Sequence, residues 1–433
     1  MSGDKSADRL PDEQRHDKKA LAAGMAGNVI EWYDFTLYGY LAVVISQLFF
    51  PHEDPAVSLL ATYGVFAVGF FMRPLGAALF GYLGDTMGRK PVLIISVMMM
   101  VIPTLLLGML PTYADWGIYA SICLVLIRCI QGLSVGGEFS GSVTYLVETA
   151  PVGKRGFAGS WANMGSMVGM LLGAATPAVV IWILGQPEVN EWAWRIPFFF
   201  GAVLGLIALF LRHDLPEPTP TEKEVEAREG VHPFRLLLRE EGKTFLKMCF
   251  FAASYGACFY LPLVYLPTWL ALYTGIPLHQ ALFVVTLCML VQLACILPFA
   301  RFSDQGIRRT TFLALCFMVM TVTAVPLFVL AGGGAVWEAI VVLVIFAIFI
   351  AVPLAVAPSL FAEAFDRKHR LTGYSVSFNI GFAVGGGTAP FVATWLISET
   401  GERFAPAFYM AALALLGAIV MMNTRDRSRE PLR

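Results

Sequence analysis

Charge is scarce in this chain of 433 residues: Asp, Glu, Lys and Arg together make up 14% of it, against about 25% in an average soluble domain. The formal net charge is −1, and the basic residues are dispersed rather than gathered into one face, so nothing recommends a nucleic-acid partner. Histidine and cysteine are also few. The six histidines (His16, His52, His213, His232, His279, His369) fall in termini and loops, and the seven cysteines (Cys123, Cys129, Cys249, Cys258, Cys288, Cys295, Cys316) lie in apolar stretches without paired metal-ligand spacing. Neither a metal, a disulfide nor a cofactor is expected, and no nucleophile and base stand together as an enzyme would need. No glycine loop ends in Lys-Ser/Thr, so ATP hydrolysis has no visible site. The stretch Met1 to Lys19 is polar with both signs of charge and lacks the apolar core of a cleaved signal peptide; it is expected to stay in the cytoplasm.

What the chain has is apolar mass. Hydrophobic residues reach 57%, and 33 Phe, 40 Gly and 25 Pro run along its whole length, a mixture that suits membrane helices. A crossing needs about 20 apolar residues, and reading the apolar runs between polar breaks predicts twelve: 21–50, 58–83, 92–110, 117–147, 157–185 and 196–212 in the first half, and 244–273, 279–300, 310–331, 336–360, 372–398 and 403–422 in the second. The expected fold is an all-α membrane protein whose twelve transmembrane helices form two pseudo-symmetric six-helix bundles. In these terms residues 1–20 are a cytoplasmic tail, 21–212 the first bundle, 213–243 a polar linker rich in Pro and Glu, 244–422 the second bundle, and 423–433 a second cytoplasmic tail.

Lys and Arg accumulate in cytoplasmic loops. With both termini inside, the inner segments hold nearly all of the basic residues, including Arg89 and Lys90, Lys154 and Arg155, Arg212 to Lys247, Arg301 to Arg309, and Arg367 to Arg370. The outer loops hold only Arg195 and Arg403, and only Arg73 and Arg128 fall inside predicted spans. A multi-pass protein of a bacterial inner membrane is expected, surrounded by lipid.

Two loop patterns recur at equivalent places in the halves. Gly84-Asp85-Thr86-Met87-Gly88-Arg89-Lys90 after the second span is echoed by Ser303-Asp304-Gln305-Gly306-Ile307-Arg308-Arg309 after the eighth, and Glu148 and Arg155 are spaced as Glu363 and Arg370 are. Such repetition indicates duplication of a six-helix unit. The first loop, with Gly81, Asp85, Gly88, Arg89 and Lys90, resembles the signature of the major facilitator superfamily. More narrowly, Gly27-Asn28-Val29-Ile30-Glu31-Trp32-Tyr33-Asp34-Phe35, Arg73-Pro74-Leu75-Gly76, Gln131-Gly132-Leu133-Ser134-Val135-Gly136-Gly137-Glu138 and Trp192-Ala193-Trp194-Arg195-Ile196-Pro197-Phe198 are similar to the metabolite:proton symporters, importers of citrate, 2-oxoglutarate, shikimate or proline betaine. The resemblance implies a gating latch at the loops, assigned here to Asp85, Arg89, Lys90, Glu148, Arg155, Asp304, Arg308, Glu363 and Arg370. The second loop has Ile307 where the signature has its final Gly. Osmosensing members carry a long charged C-terminal extension; about ten residues follow the last predicted span here, so that apparatus is not expected.

A charge near the bilayer centre costs several kcal/mol, which makes each one a functional candidate. Five fall inside predicted spans, Glu31, Asp34, Arg73, Arg128 and Glu138, all in the first half. Glu31 and Asp34 are three apart on one helix face with Tyr38 a turn further on, and two like charges so close would raise the proton affinity of at least one. Arg128, Gln131 and Glu138 share an arc of about 80°. Three acids against two arginines leave one negative charge for a co-transported proton to neutralise, and the plainer alternative is a structural ion network without ligand. Glu31, Asp34 and Glu138 are therefore the proton-coupling candidates. Asn28, Tyr38, Arg73, Arg128, Gln131, Tyr255, Tyr260, Gln292 and Asn379 are the substrate-binding candidates. The leading expectation is symport of a proton with a small carboxylate by a monomeric carrier; the alternative is a zwitterionic osmolyte such as a betaine, for which the aromatic seventh span offers cation–π contact.

Overall fold

A computed structural model describes residues 28–87, 89–135, 138–151, 153–213 and 233–432. The side chains of Asp85, Arg89, Lys90 and Glu138, expected to gate and to exchange protons, lie outside the described residues. Twelve helical rods follow one another: α1 (28–49), α2 (Pro55–Met87), α3 (Arg89–Met109), α4 (Ile118–Thr149), α5 (Arg155–Leu184), α6 (Arg195–His213), α7 (Phe234–Tyr273), α8 (Leu278–Gln305), α9 (Arg309–Ala331), α10 (Val336–Ala364), α11 (Arg370–Thr400) and α12 (Ala405–Met422). No strand occurs among the described residues. Nine of the rods are individually long and apolar enough to cross a membrane, and a tenth is α6 taken with the short helix Gln186–Ala193, from which it bends by 61°. α3 contributes the shorter apolar helix Ile94–Met109.

The two halves repeat each other's packing. α2 lies on α4 as α8 lies on α10, and α3 pairs with α6 as α9 pairs with α12. The third equivalence is written in small residues spaced four apart, which let helix backbones touch. On α5 a Cβ at Gly169 would sit 2.2 Å from the Val29 carbonyl oxygen of α1, and one at Gly173 would sit 2.5 Å from Thr36 Oγ1. On α11 a Cβ at Gly381 would meet the Cys249 carbonyl oxygen of α7 at 2.4 Å, and one at Gly385 would meet that of Ala253 at 2.0 Å. α1 and α7 are thereby held at the centres of their bundles. The halves meet along two seams, α2 against α11 and α5 against α8 and α10.

Departures from regular helix are local. A π-helical turn, Leu261–Tyr265, follows Tyr260 in α7 where Pro262 and Pro267 withdraw backbone donors, and a second, Phe382–Gly387, interrupts α11. α7 starts at 234 rather than at the expected 244, with a break at Glu241 (φ −126°, ψ 22°). The added turns are charged, so hydropathy does not mark them; they dock through Phe234 on Phe245 and through Glu241 accepting from the Asp366 backbone N–H. Lys368 and His369 both reach Glu240 and hold its carboxyl below the usual carboxylate range. The two arginines expected in outer loops have structural work: Arg195 donates to the carbonyls of Gly108 and Leu110 at the end of α3, and Arg403 donates to Tyr273 at the end of α7. Both cap helix C-termini, where carbonyls lack partners and positive charge is favoured.

Gly169→Val is expected to destabilise the protein by about 1–3 kcal/mol or more, since the added carbons meet backbone that cannot step aside. Gly141→Ala, whose Cβ would meet nothing within 4 Å, should leave stability unchanged or slightly improved. Thermal midpoints in detergent check this, and equal midpoints for the two variants would contradict the close approach of α1 and α5.

Candidate functional site

The residues of α1 that face the bundle interior are drawn to different neighbours. Asp34 Oδ2 lies 3.4 Å from Arg128 Nη1 of α4, and Asp34 Oδ1 accepts from Thr104 Oγ1 of α3 at 2.7 Å. Arg128 Nη1 also donates to Gln131 Oε1 at 3.0 Å, and Gln131 Nε2 donates back to Thr104 Oγ1 at 3.0 Å. The four side chains close a ring of polar contacts. Arg128 and Gln131 are 0% exposed and Asp34 is 1% exposed, so each contact acts in a low dielectric where it counts for more than it would in water. Thr104 had no signal in the sequence: a hydroxyl within the apolar run of α3 reads as ordinary.

Glu31 has its own arginine. Its Oε1 lies 3.7 Å from Arg73 Nη1 of α2, so the two acids of α1 are not one site of shared repulsion, as their spacing suggested; each is matched to a separate guanidinium. Arg73 lies against both Phe35 and Phe70, with its Cζ 4.4 and 4.3 Å from the ring centroids. Phe35 also faces Arg128, at 4.6 Å, and so stands between the two cations. Trp32 carries the cluster across to the second half: it stacks on Tyr260 of α7, with centroids 6.5 Å apart and planes 10° from parallel, and meets Phe259 edge-on. Phe66 and Phe70 of α2 pack edge-on against Tyr260 from the other side.

Several donors here have no acceptor. Arg73 Nε and Nη2, Arg128 Nε and Nη2, Trp32 Nε1 and the Tyr260 hydroxyl are buried without a hydrogen-bond partner among the described residues. Buried polar groups are normally paired, and an orphaned one costs about 1–3 kcal/mol; here six lie together without an acceptor from the described residues. Beside them a crevice lined by Glu31, Trp32, Arg73, Phe139, Phe378 and Asn379 has room for about one water-sized sphere. The site is closed in this conformation.

The other expected residues lie at varying distance from this centre. Asn379 lines the crevice and donates to the Ser375 carbonyl. Tyr38 lies under Arg128, 4.6 Å from its Cζ, and donates to the Thr62 carbonyl. Asn28 donates to the Ala162 carbonyl of α5, which ties α1 to α5. Tyr255 packs among Phe251, Phe259 and Phe382, one aromatic layer behind Tyr260. Gln292 of α8 is wholly buried with both ends of its amide unpaired, and no contact joins it to the arginines. Phe259 belongs to the aromatic set of the seventh span, whereas Trp32, Phe35 and Phe70 carry no binding signal in the sequence, because an aromatic in a membrane span reads as packing.

At the basic end, the repeated Glu and Arg pairs cross over between halves. Glu148 of α4 accepts from Arg370 of α11 at 2.5 Å, and Arg155 of α5 lies 3.7 Å from Glu363 of α10. Asp304 of α8 reaches across to the N-terminus of α5, where both its oxygens accept backbone N–H groups, from Gly156 and Phe157 at 2.9 Å each; a helix start offers unpaired donors and favours negative charge. Arg308, expected in this latch, is exposed. Arg309 takes its place: 1% exposed, it donates twice to Glu363 at 2.8 and 3.1 Å and once to Asp304 at 3.0 Å. The register of α9 decides this, since Arg308 is its extended N-cap and Arg309 its first helical residue. Residues 423–432 fold over the same end. Asp426 accepts from the Thr310 backbone N–H at 2.9 Å, and the Glu430 carbonyl accepts from Arg155 at 2.9 Å. Burial would raise the Asp426 carboxyl, but hydrogen bonds from Ser428 and Thr310 outweigh it and hold the group low.

Comparison with known proteins shows the family and the fold. The profile described as Sugar (and other) transporter matches residues 19–235, and that of the Major Facilitator Superfamily matches residues 248–433. The chain is 31% identical over 426 residues to the proline/betaine transporter of Salmonella typhimurium, covering 96% of this chain and 85% of that one. It is equally similar, with the same coverage, to the glycine betaine/proline/ectoine/pipecolic acid transporter OusA of Dickeya dadantii. Among solved structures, the crystal structure of a D-xylose-proton symporter superimposes with a TM-score of 0.77 over 96% of this chain and all of that one, at 17% identity.

Arg309→Ala leaves Glu363 and Asp304 buried with less positive charge, a loss of about 3–5 kcal/mol for a broken buried pair, while Arg308→Ala should stay within about 0.5 kcal/mol of the parent. Thermal unfolding in detergent separates the two, and equal effects would contradict the placement of Arg309 in the latch.

Proposed function

Because this chain belongs to the major facilitator superfamily, and so is a multi-pass secondary transporter and not an enzyme, we propose that it imports a small zwitterionic osmolyte, a betaine or an imino acid, together with a proton. The observation that carries this reading is the set of orphaned donors on Arg73, Arg128, Trp32 and Tyr260, lying against a wall of aromatic rings between the halves. A carboxylate supplies the missing acceptors, and guanidinium forks suit it. A quaternary ammonium or pyrrolidinium is held by aromatic faces, at about 0.5–2 kcal/mol per ring.

Charge balance favours the zwitterion over the di- or tricarboxylate that the sequence first suggested. Arg73 is matched by Glu31 and Arg128 by Asp34, so the described centre has no surplus positive charge to offset two or three negative ones. A net-neutral solute adds none. The curated relatives, transporters of proline, betaines and ectoine by their names, point the same way.

Coupling follows from competition for Arg128. When Asp34 takes a proton from the outer side, Arg128 loses its counter-charge and turns to the substrate carboxylate, which in turn stabilises the loaded, closed form. Rocking of the halves then parts Glu148 from Arg370 and Arg155 from Glu363 and opens the basic end. The basic end faces the cytoplasm in this reading, on the strength of its Lys and Arg content, which puts both termini inside a bacterial inner membrane; the carrier works as a monomer.

Liposomes containing the purified protein, given an inward proton gradient, should accumulate glycine betaine or proline and not citrate. Arg128→Ala and Arg73→Ala should each lower uptake at least about a hundredfold, as expected for truncating one partner of a buried charge-assisted contact. Citrate accumulation without betaine uptake would overturn the osmolyte reading, and full activity of Arg128→Ala would remove that residue from the site.

A further inference from the structure

Thr104 has more neighbours than its one hydroxyl hydrogen can serve. Its Oγ1 lies 2.7 Å from Asp34 Oδ1 and 2.8 Å from the Met100 carbonyl oxygen, and it receives the Gln131 amide at 3.0 Å. A hydroxyl has one O–H to donate and two lone pairs to accept with. It can therefore point at Asp34 or at Met100, and not at both.

We propose that Thr104 is a positioning residue for proton coupling, a rotor that keeps Asp34 hydrogen-bonded in both protonation states. The proposal rests on the reading of Asp34 as the proton carrier. With Asp34 ionised, the hydroxyl hydrogen points to Oδ1 and one lone pair holds the Gln131 N–H. When a proton from water is added to that carboxylate, the new O–H points to Thr104 Oγ1, and the threonine turns its own hydrogen onto the Met100 carbonyl. Only the one proton is gained, no covalent bond other than that O–H forms, and Asp34 Oδ1, the Thr104 hydroxyl and the Gln131 amide each keep a partner in both states.

The requirement is strict because the site is buried: an unpaired buried carboxyl or hydroxyl would penalise whichever state lacked the contact, and the carrier would be trapped in the other. The groups around Asp34 are Arg128 from α4, which itself feels Arg73 of α2 and Tyr260 of α7, and Tyr33 and Tyr38 from α1. Arg128 can only donate, and the hydroxyls of Tyr33 and Tyr38 are given to the Pro197 and Thr62 carbonyls, so among these groups the threonine is the one placed both to donate to the carboxylate and to accept from the carboxyl. Gln131 transmits the change. Its amide bridges Thr104 to Arg128, so reorientation of the hydroxyl is felt by the guanidinium that the substrate needs.

The test reads the carboxyl directly and needs no substrate. Infrared spectra of the full-length protein in liposomes, taken across a pH series, contain protonated-carboxyl bands; the band lost in Asp34→Asn belongs to Asp34. Thr104→Val should move the midpoint of that band upward by about one pH unit, a tenfold change, because a donor to the charged form is worth more than an acceptor for the neutral one. Thr104→Ser, which restores the hydroxyl, should bring the midpoint back. A Thr104→Val midpoint equal to the parent, in protein that elutes as a single species, would overturn the rotor. If Asp34→Asn removes no titrating band, the assignment of Asp34 as proton carrier fails instead.

Discussion

An aspartate and an arginine facing each other in the middle of a membrane protein are tolerable only while each has the other. Removing two such charges from water costs several kcal/mol per ion, and their attraction repays it only when the geometry is good and the remaining hydrogen-bonding positions are filled. Asp34 and Arg128 meet at 3.4 Å, a loose contact, and only part of the guanidinium is used. The pair is thus bound firmly enough to fold and weakly enough to be exchanged. In the proposed cycle a proton on Asp34 or a carboxylate at Arg128 each shifts the balance, and each makes the other more favourable.

The same logic operates at the basic end with the opposite emphasis. There the ion pairs are mostly saturated: Arg309 donates three bonds to two carboxylates, and Asp304 accepts from the N-terminus of a helix in the other half. Such contacts fasten one conformation. The pairs Glu148–Arg370 and Arg155–Glu363 cross between the repeated halves at equivalent positions, so the duplication visible in the helix packing also makes this contact two-sided. In the proposed cycle the centre must let go for exchange and the basic end for movement, and α4 supplies residues to both, Arg128 and Gln131 to the one and Glu148 to the other.

Much of this was legible in the sequence, for reasons that are physical. Apolar length locates membrane helices because lipid admits little else, and the twelve runs became twelve rods. Asp34 and Arg128 stood out because a charge in such a run is costly, and Gln131 because it shares a helix face with Arg128. The less visible parts depend on contact rather than composition. Thr104 is one hydroxyl in an apolar helix. Trp32 and Tyr260 are more than two hundred residues apart and meet only when the halves close. Arg308 and Arg309 are adjacent and chemically alike, and the first turn of α9 alone decides which faces inward. The charged opening of α7 is helical because it docks on the loop before α11, a tertiary cause that hydropathy does not register.

The central claim is that substrate and proton are held by one ion pair that opens for both. Its most direct measure is the number of protons taken up when substrate binds to purified, unbuffered protein, followed with a pH indicator at a pH where Asp34 is ionised. The account predicts uptake of about one proton per glycine betaine bound, and none in Asp34→Asn. Binding with no proton uptake in the parent protein would contradict it.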